Sequence, residues 1–152
     1  MSVTPMLPAF DHHGLLPDGV HDCTLDEVQA RFGVFQSSDR RPQLWAKFKE
    51  FFMQAKASQL VLELLLDGSF VTAKSDPDDI DFVVVVSSEH DFAADLAPGE
   101  YNVLSKRRVR RRFGFDIVLA RAGTDDLTEM IDFFRQVKGE PHLRKGIVRI
   151  RV

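Results

Sequence analysis

Cysteine is nearly absent from this chain of 152 residues, which contains only Cys23. A single cysteine excludes an intramolecular disulfide, and such low usage is typical of proteins in a reducing cytoplasm. Long apolar runs are also missing, since no stretch approaches the roughly 20 residues that a membrane-spanning helix needs. The first twenty residues carry Asp, His and three prolines without a basic start or an apolar segment, so no secretory signal is expected. These absences predict a cytoplasmic protein that does not enter a membrane.

Repeats, low-complexity segments and flexible linkers are absent as well, so a chain of this length predicts a single domain over residues 1–152. Apolar residues make up 44% of the chain and charged residues 28%, which is typical of a globular domain with a real core. We expect residues 1–41 to form an N-terminal arm and a short helix, and residues 42–152 to form the core.

Apolar periodicity predicts an α/β (α+β) fold, a mixed β-sheet packed with helices in one domain. A capping box at Thr24 and Glu27 predicts a short helix that ends at Gly33. The further helices are predicted at Pro42–Ala57, Tyr101–Arg112 and Leu127–Lys138, with a short helical segment at His90–Leu96. The strands are predicted at Leu60–Leu66, Ile80–Val86, Phe115–Ala120 and Ile147–Val152, the last alternating as an edge strand would.

The stretch Leu62–Val86 carries the most informative pattern, two apolar strands joined by a Gly-Ser turn and an acidic connection. Apolar runs of this length between turn residues are typical of adjacent strands buried on both faces. Alternation places Asp79 and Asp81 on one face of the second strand and Ile80 on the other. Two like charges side by side repel each other, and a divalent cation would relieve that repulsion. The pattern therefore predicts a cation site beside the turn.

The segment from Gly68 to Val84, GSFVTAKSDPDDIDFVV, resembles the signature of the nucleotidyltransferase superfamily typified by DNA polymerase beta, most of all its minimal nucleotidyltransferases. That signature is Gly-Ser followed by Asp-hydrophobic-Asp on a strand. The superfamily uses a third carboxylate on a later strand, and Asp116 in its apolar run matches it. The flanking segments Phe10–His21 and Lys145–Val148 also resemble a group of small bacterial proteins built on this core.

The resemblance implies a nucleotidyltransferase-like fold and a transfer, dependent on Mg²⁺ (or Mn²⁺), of a nucleoside monophosphate from an NTP to an RNA or protein hydroxyl. Two divalent ions can stabilise the attacking and leaving oxygens together, and carboxylates suit Mg²⁺. Small members often serve in toxin–antitoxin or phage-defence pairs, so a toxin or antitoxin partner is also implied. The implied catalytic and metal-binding acids, followed by the implied phosphate contacts, are Asp79, Asp81 and Asp116, then Gly68, Ser69 and Lys74.

Alternative interpretations remain open at this stage. The chain has Phe70, Val71 and Thr72 where the minimal family has Arg and Gly, and it has no room for a separate acceptor-binding domain. A catalytically weak antitoxin or scaffold that keeps the fold is therefore the alternative to an enzyme, and a plain RNA-binding protein is a third hypothesis. The acids could form only a surface turn, since Asp favours turns. Trp45 and its neighbouring Phe residues are interpreted as core, with a nucleobase platform as the alternative.

A run of basic residues places six positive charges within seven positions: Lys106, Arg107, Arg108, Arg110, Arg111 and Arg112. In a helix, Val109 and Phe113 would face inward and the charges outward. Such a surface could bind RNA or triphosphate, because phosphate contacts supply most non-specific affinity. It could also dock an acidic partner, or be a solvated face favoured by the helix C-terminus.

Overall fold

The structure, a computed structural model, describes residues 7–152, which form a mixed β-sheet with helices on both faces. The α-helices of this range are Leu25–Phe32 (α1), Arg40–Ser58 (α2), Pro98–Leu104 (α3), Lys106–Phe113 (α4) and Asp125–Phe134 (α5). The strands are Gly19–Cys23 (β1), Val61–Asp67 (β2), Asp81–Val86 (β3), Ile117–Arg121 (β4), Gln136–Val137 (β5), Glu140–Arg144 (β6) and Gly146–Arg151 (β7). The predicted α/β class is confirmed. The first six residues of the expected N-terminal arm lie outside the described range.

The main sheet has five strands in the order β1-β7-β2-β3-β4. The outer pairs, β1 with β7 and β3 with β4, are parallel. The inner pairs, β7 with β2 and β2 with β3, are antiparallel. β2 and β3 are therefore direct neighbours, as the sequence predicted. β5 and β6 form a separate two-stranded hairpin.

The two faces of the sheet bury different side chains because residues alternate along each strand. On one face, Phe82 packs with Phe48 and Phe51 of α2 in the larger core, with ring centroids 5.3 and 5.1 Å away. On the other face, Val83 and Val85 share a smaller core with α5. Asp81 precedes these residues by even steps, so the alternation assigns it to the α5 face.

The edge position predicted for the last strand is wrong, because β7 lies between β1 and β2. Its partner β1 was predicted as part of an extended arm, yet Gly19–Cys23 pairs with β7 along its whole length. Apolar and basic residues alternate in β7 because one face of the sheet is partly exposed there, not because β7 lies at an edge. Arg149 on that face donates two hydrogen bonds to Asp22 of β1, at 2.5 and 2.9 Å.

Three helix predictions are also corrected. The helix predicted at Tyr101–Arg112 is divided into α3 and α4 at Ser105, whose backbone is extended and whose hydroxyl accepts a hydrogen bond from the Arg108 N–H at 3.3 Å. α5 ends at Phe134 rather than Lys138, because the chain turns into the β5–β6 hairpin. The segment predicted as helical at His90–Leu96 forms turns. Of the described helices, none combines the length and the apolar character that a bilayer crossing requires.

Candidate active site

Three acidic side chains lie at the ends of three neighbouring strands. Asp67 ends β2 and is the register partner of Asp81, the first residue of β3. Asp116 immediately precedes β4, and the parallel register that pairs Ile117 with Phe82 places Asp116 beside Asp81. Alternation assigns all three to the α5 face of the sheet. The topology therefore gathers carboxylates from separate parts of the sequence at one place.

A fourth carboxylate, that of Asp79, joins this group. It is half-buried and accepts a hydrogen bond from the backbone N–H of Ile80 at 2.7 Å. Ile80 is fully buried in the opposite layer, as predicted. The pKa of Asp79 is raised, chiefly because burial removes water from its carboxylate and further because Asp116 repels it, although the Ile80 hydrogen bond acts in the opposite direction.

The pKa of Asp81 is raised in the same way. Loss of surrounding water is the main cause, followed by repulsion from Asp79 and Asp67, while the nearby Lys145 ammonium lowers it in part. A charged carboxylate is disfavoured by low-dielectric surroundings and by like charges, and it is favoured by a nearby cation. The arrangement therefore carries an excess of negative charge that a bound cation would balance. Clustered carboxylates with raised pKa values in a cleft are a common mark of functional sites.

Gly68 lies so close to Asp81 that this position requires a residue without a side chain. Its backbone φ is 77°, in the left-handed region, and a Cβ built there would lie 2.2 Å from the Asp81 carboxylate oxygen Oδ2. A side chain at this position would be strained and would displace the acid. The predicted proximity of the Gly-Ser turn to the Asp-hydrophobic-Asp strand is therefore observed.

The turn that begins at Ser69 is short and is held by its own hydrogen bonds. Ser69–Val71 forms one turn of 3-10 helix. The carbonyl of Ser69 accepts hydrogen bonds from the N–H of Thr72 at 3.2 Å and from its hydroxyl at 2.7 Å. Phe70 and Val71, which stand where the minimal family has Arg and Gly, are buried in the core. Their apolar side chains anchor the turn against the sheet and α2.

Arg41 stabilises the turn through hydrogen bonds to backbone carbonyls, a role that the sequence did not indicate. Its side chain is 1% exposed, and its guanidinium donates hydrogen bonds to four backbone carbonyls. The acceptors, with their distances, are Phe32 at 3.1 Å, Phe70 at 2.7 Å, Thr72 at 2.8 Å and Lys74 at 2.6 Å. Burial lowers the pKa of Arg41, with Asp76 acting in the opposite direction.

The adjacent Arg40 donates hydrogen bonds to the carbonyls of Pro77 and Asp78 in the acidic connection.

Lys74, predicted as a phosphate contact, is exposed and is not among the described residues that line the cleft at the acids. Its carbonyl is bonded to Arg41, which fixes its backbone and leaves the ammonium in solvent. The structure therefore brings Gly68, Asp81 and Asp116 together, but it does not bring Lys74 to them.

Two residues of the site were missed from sequence, Asp67 and Lys145. They form an ion pair with 2.9 Å between Lys145 Nζ and Asp67 Oδ1. The side chain of Lys145 is 16% exposed and that of Asp67 is 12% exposed. Asp67 could have been found, because it ends an apolar strand directly before the Gly-Ser turn. Lys145 gave no local signal, because its position beside the acid depends on the pairing of β7 with β2.

Asp67, Asp81 and Asp116 form one side of a cleft of about 740 Å³, and Asp79 is not among the described residues that line it. The other side is formed by the end of α5 and the β5–β6 hairpin. Its apolar lining includes Phe133, Phe134, Val137 and Pro141, and Lys138 adds a positive charge. The volume falls within the roughly 300 to 1,000 Å³ that is usual for small-molecule sites. The cleft is therefore charged on one side and apolar on the other.

A family model for a family of unknown function, DUF6932, matches residues 8–151. The chain belongs to this family. Comparisons with curated proteins and with solved structures gave no match. The match covers every element of the fold, so the acids and the cleft all lie within the DUF6932 region.

The predicted basic run of this DUF6932 chain forms α4, with Val109 and Phe113 buried as expected. Arg110 reaches the acidic group, and its Nη1 lies 2.7 Å from Asp116 Oδ2. Both side chains are largely exposed, at 60% and 72%, so this ion pair contributes little to stability. The charges are therefore divided between the acidic site and a neighbouring surface hollow of about 630 Å³ lined by Tyr101, Ser105, Arg107, Arg108, Arg111 and Arg112.

The acids suit a hard divalent cation, although they are not arranged as a closed ligand set. Within residues 7–152, no three His, Cys, Asp or Glu side chains converge as metal ligands. Asp116 is directed to Arg110, Asp67 to Lys145, and Asp79 to the backbone of Ile80. All the donors are carboxylate oxygens, which Mg²⁺ and Mn²⁺ prefer, and after burial the repulsion from neighbouring acids contributes to the raised pKa values of Asp79 and Asp81. Asp79, Asp81 and Asp116 are the residues that would hold such an ion.

Proposed function

We propose that this DUF6932 chain is a nucleotidyltransferase, dependent on Mg²⁺ or Mn²⁺, that transfers a nucleoside monophosphate from an NTP to a hydroxyl of RNA, such as a tRNA end, or of a protein. The observation that carries the proposal is the group of crowded carboxylates beside the Gly-Ser turn, where the pKa values of Asp79 and Asp81 are raised. A bound nucleotide and its cations would supply the positive charge that this group lacks. The single cysteine favours a cytoplasmic setting.

The reaction is an in-line displacement at the α-phosphorus. The acceptor oxygen forms a new bond to that phosphorus, and the bond to the oxygen bridging the α- and β-phosphates breaks, so pyrophosphate leaves with the bonding electrons. Divalent cations, when bound, would stabilise the negative charge on the attacking and leaving oxygens. Asp79 and Asp81 would hold the charge-balancing ions, and Asp116 would accept the proton of the acceptor hydroxyl once it is free of Arg110.

The turn at Gly68 and Ser69 supports the other end of the nucleotide. Ser69 can donate its hydroxyl and the adjacent amides can donate N–H groups to the β- and γ-phosphates, an arrangement common in phosphate-binding turns. Arg41 fixes the backbone of this turn through the carbonyls of Phe70, Thr72 and Lys74, and its bond to the Phe32 carbonyl ties the turn to α1. A phosphate site held in this way requires little reorganisation when the nucleotide binds.

The alternative function, an antitoxin or scaffold that keeps the fold with little catalysis, draws on one observation. Arg110 forms an ion pair with Asp116, the acid that the proposed transfer requires as proton acceptor. A partner protein or RNA that binds the remaining arginines of α4 would use this surface without any turnover. A place in a toxin–antitoxin or phage-defence pair is compatible with either function.

Label transfer separates the two functions. The purified protein is incubated with each α-labelled NTP, Mg²⁺ or Mn²⁺ and a cell extract, beside Asp81→Asn and the control Asp22→Asn. We expect label on an RNA or protein band, reduced at least about a hundredfold by Asp81→Asn because charge stabilisation at the reacting phosphate is lost. The control should retain transfer, because Asp22 is paired with Arg149 away from the cleft.

Absence of label under every condition, with folded protein, would reject the transferase and favour the binding module. Equal labelling by the wild type and Asp81→Asn would remove these acids from the mechanism. RNA binding that falls steeply with salt and survives Asp81→Asn would identify a plain RNA-binding protein.

A further inference from the structure

Phe133 is an aromatic side chain left in solvent at the mouth of the candidate site. It lies in the last turn of α5, it is 66% exposed, and it lines the cleft that contains Asp81 and Asp116. Phe134 packs against its edge, with ring centroids 5.6 Å apart and the ring planes at 70°. This contact supports the ring from one side and leaves most of its surface open.

Two other aromatic residues, Phe82 and Phe134, line the cleft, but Phe82 is 3% exposed and Phe134 is half-buried. Trp45 is 3% exposed, and Phe48 and Phe51 are fully buried, so the hypothesis that they form a nucleobase platform is excluded. The other exposed aromatics, Phe35, Phe92 and Tyr101, are not among the described residues lining the cleft. Phe133 is therefore the most exposed aromatic face that a ligand bound at the acids would meet.

The charged side and the apolar side of the cleft suit a ligand that has a charged group at one end and an apolar group at the other. The acids, with their deficit of positive charge, suit phosphate-bound cations. Val137 and Pro141 of the hairpin are further apolar residues of the same lining, and Lys138 adds a positive charge to it. A nucleoside triphosphate has this division, with a charged phosphate chain at one end and a flat base at the other.

We propose that Phe133 is the stacking platform for the base of the nucleotide, an inference that rests on the proposed nucleotidyl transfer. Bases stack on aromatic side chains through their flat faces, and this stacking is tolerant of base identity because every base has such a face. Phe133 has no polar atom with which to tell bases apart. It therefore sets the affinity for the base as a whole and determines where the α-phosphate lies relative to Asp81.

The test compares ATP with inorganic triphosphate in equilibrium binding with Mg²⁺. Phe133→Ala should weaken ATP binding by about 5- to 150-fold, the loss of one base stack, and should leave triphosphate binding unchanged. Phe133→Trp should restore ATP binding. Phe35→Ala is the matched control, since Phe35 is also 66% exposed, and it should bind both ligands as the wild type does. The melting temperature of Phe133→Ala should stay near that of the wild type.

The outcomes separate this inference from the proposed function. Unchanged ATP binding in Phe133→Ala, with binding reduced in Asp81→Asn, would overturn the platform and leave the transferase standing. Equal weakening of ATP and triphosphate would also overturn it, because the residue would then act on the phosphate end. A wild type that binds neither ligand would overturn both proposals.

Discussion

The carboxylates at the two ends of the sheet order are in opposite electrostatic situations. At the β1–β7 end, Asp22 accepts two hydrogen bonds from Arg149, and Asp18 accepts two from Arg135 at 2.8 and 3.0 Å. The pKa values of Asp22 and Asp18 are lowered, chiefly by these arginine hydrogen bonds. At the β3–β4 end, the pKa values of Asp79 and Asp81 are raised by burial and by neighbouring acids.

The difference means that aspartates in one sheet have opposite effects on the stability of the fold. The paired acids favour the folded state, because their charged form is more stable there than in the unfolded chain. The crowded acids work against folding, and their position is maintained by other contacts. Groups held in an unfavourable arrangement by the surrounding structure are typical of functional sites.

The largest expected effect comes from removing the support beneath the crowded end. Arg41→Met leaves buried backbone carbonyls without their donors, so we expect a loss of about 3 to 5 kcal/mol in the free energy of unfolding. Arg40→Met is the control, since the adjacent Arg40 is exposed and makes fewer bonds. Chemical denaturation measures both variants. Equal losses would show that Arg41 has no special role in holding the turn.

Gly68→Ala tests the contact between the turn and Asp81. We expect a loss of about 2 to 4 kcal/mol, because left-handed strain and overlap with a side chain each contribute roughly 1 to 3 kcal/mol. Gly123→Ala provides the matched control, since Gly123 has a φ of 71° but nothing within 4 Å of an added Cβ. A loss for Gly68→Ala no greater than that of the control would contradict the close approach.

Lys145→Met removes the cation beside Asp67. A mostly buried carboxylate would then lack a partner, and we expect a loss of about 1 to 3 kcal/mol in unfolding free energy. Asp67→Asn in the same background should recover part of the loss, since the unpaired charge is then absent. A double variant as unstable as the single one would show that Lys145 acts through packing alone.

The smallest effects have opposite signs at the two ends. At neutral pH we expect Asp81→Asn to be more stable than the wild type by up to about 1 kcal/mol, and Asp22→Asn to be less stable by a similar amount, since both sites are open to solvent. Thermal and denaturant unfolding of the two variants beside the wild type would measure the difference. Destabilisation by both substitutions would remove the contrast between the two ends.

The pH dependence of these two variants follows from the directions of the pKa shifts. The penalty for charging Asp81 is absent below its ordinary pKa of 3.8 and grows as pH rises through its raised folded pKa, so the advantage of Asp81→Asn should vanish in acid. The stabilisation from Asp22 is present above 3.8 and is lost as pH falls through its lowered folded pKa. A stability difference for Asp81→Asn that persists in acid would show that its cause is not charge.

Local patterns predicted the central part of the fold and much of the candidate site. Strands β2 and β3, the turn at Gly68 and the acids of β3 were predicted because alternation and turn chemistry act over a few residues. Strand β1 was missed, because its short half-polar sequence becomes a strand only by pairing with β7. Lys145 and Arg41 were missed for a related reason, since their roles depend on carbonyls and carboxylates supplied by distant segments. Phe133 lies within the helix predicted at Leu127–Lys138 and was given no role, and only the hairpin that follows α5 shows that it lines a cleft.

The pairing of β1 with β7 bears on how the domain assembles during synthesis. Asp22 and Arg149 are 127 positions apart in the chain. β1 is made early and has no neighbour in the sheet until β7 emerges, and β2 keeps one unpaired edge for the same period. Contacts between distant segments slow folding, and unpaired strand edges invite association with other chains. The nascent domain therefore reaches its final strand order late, and chaperone binding before β7 emerges would protect the open edge of β2.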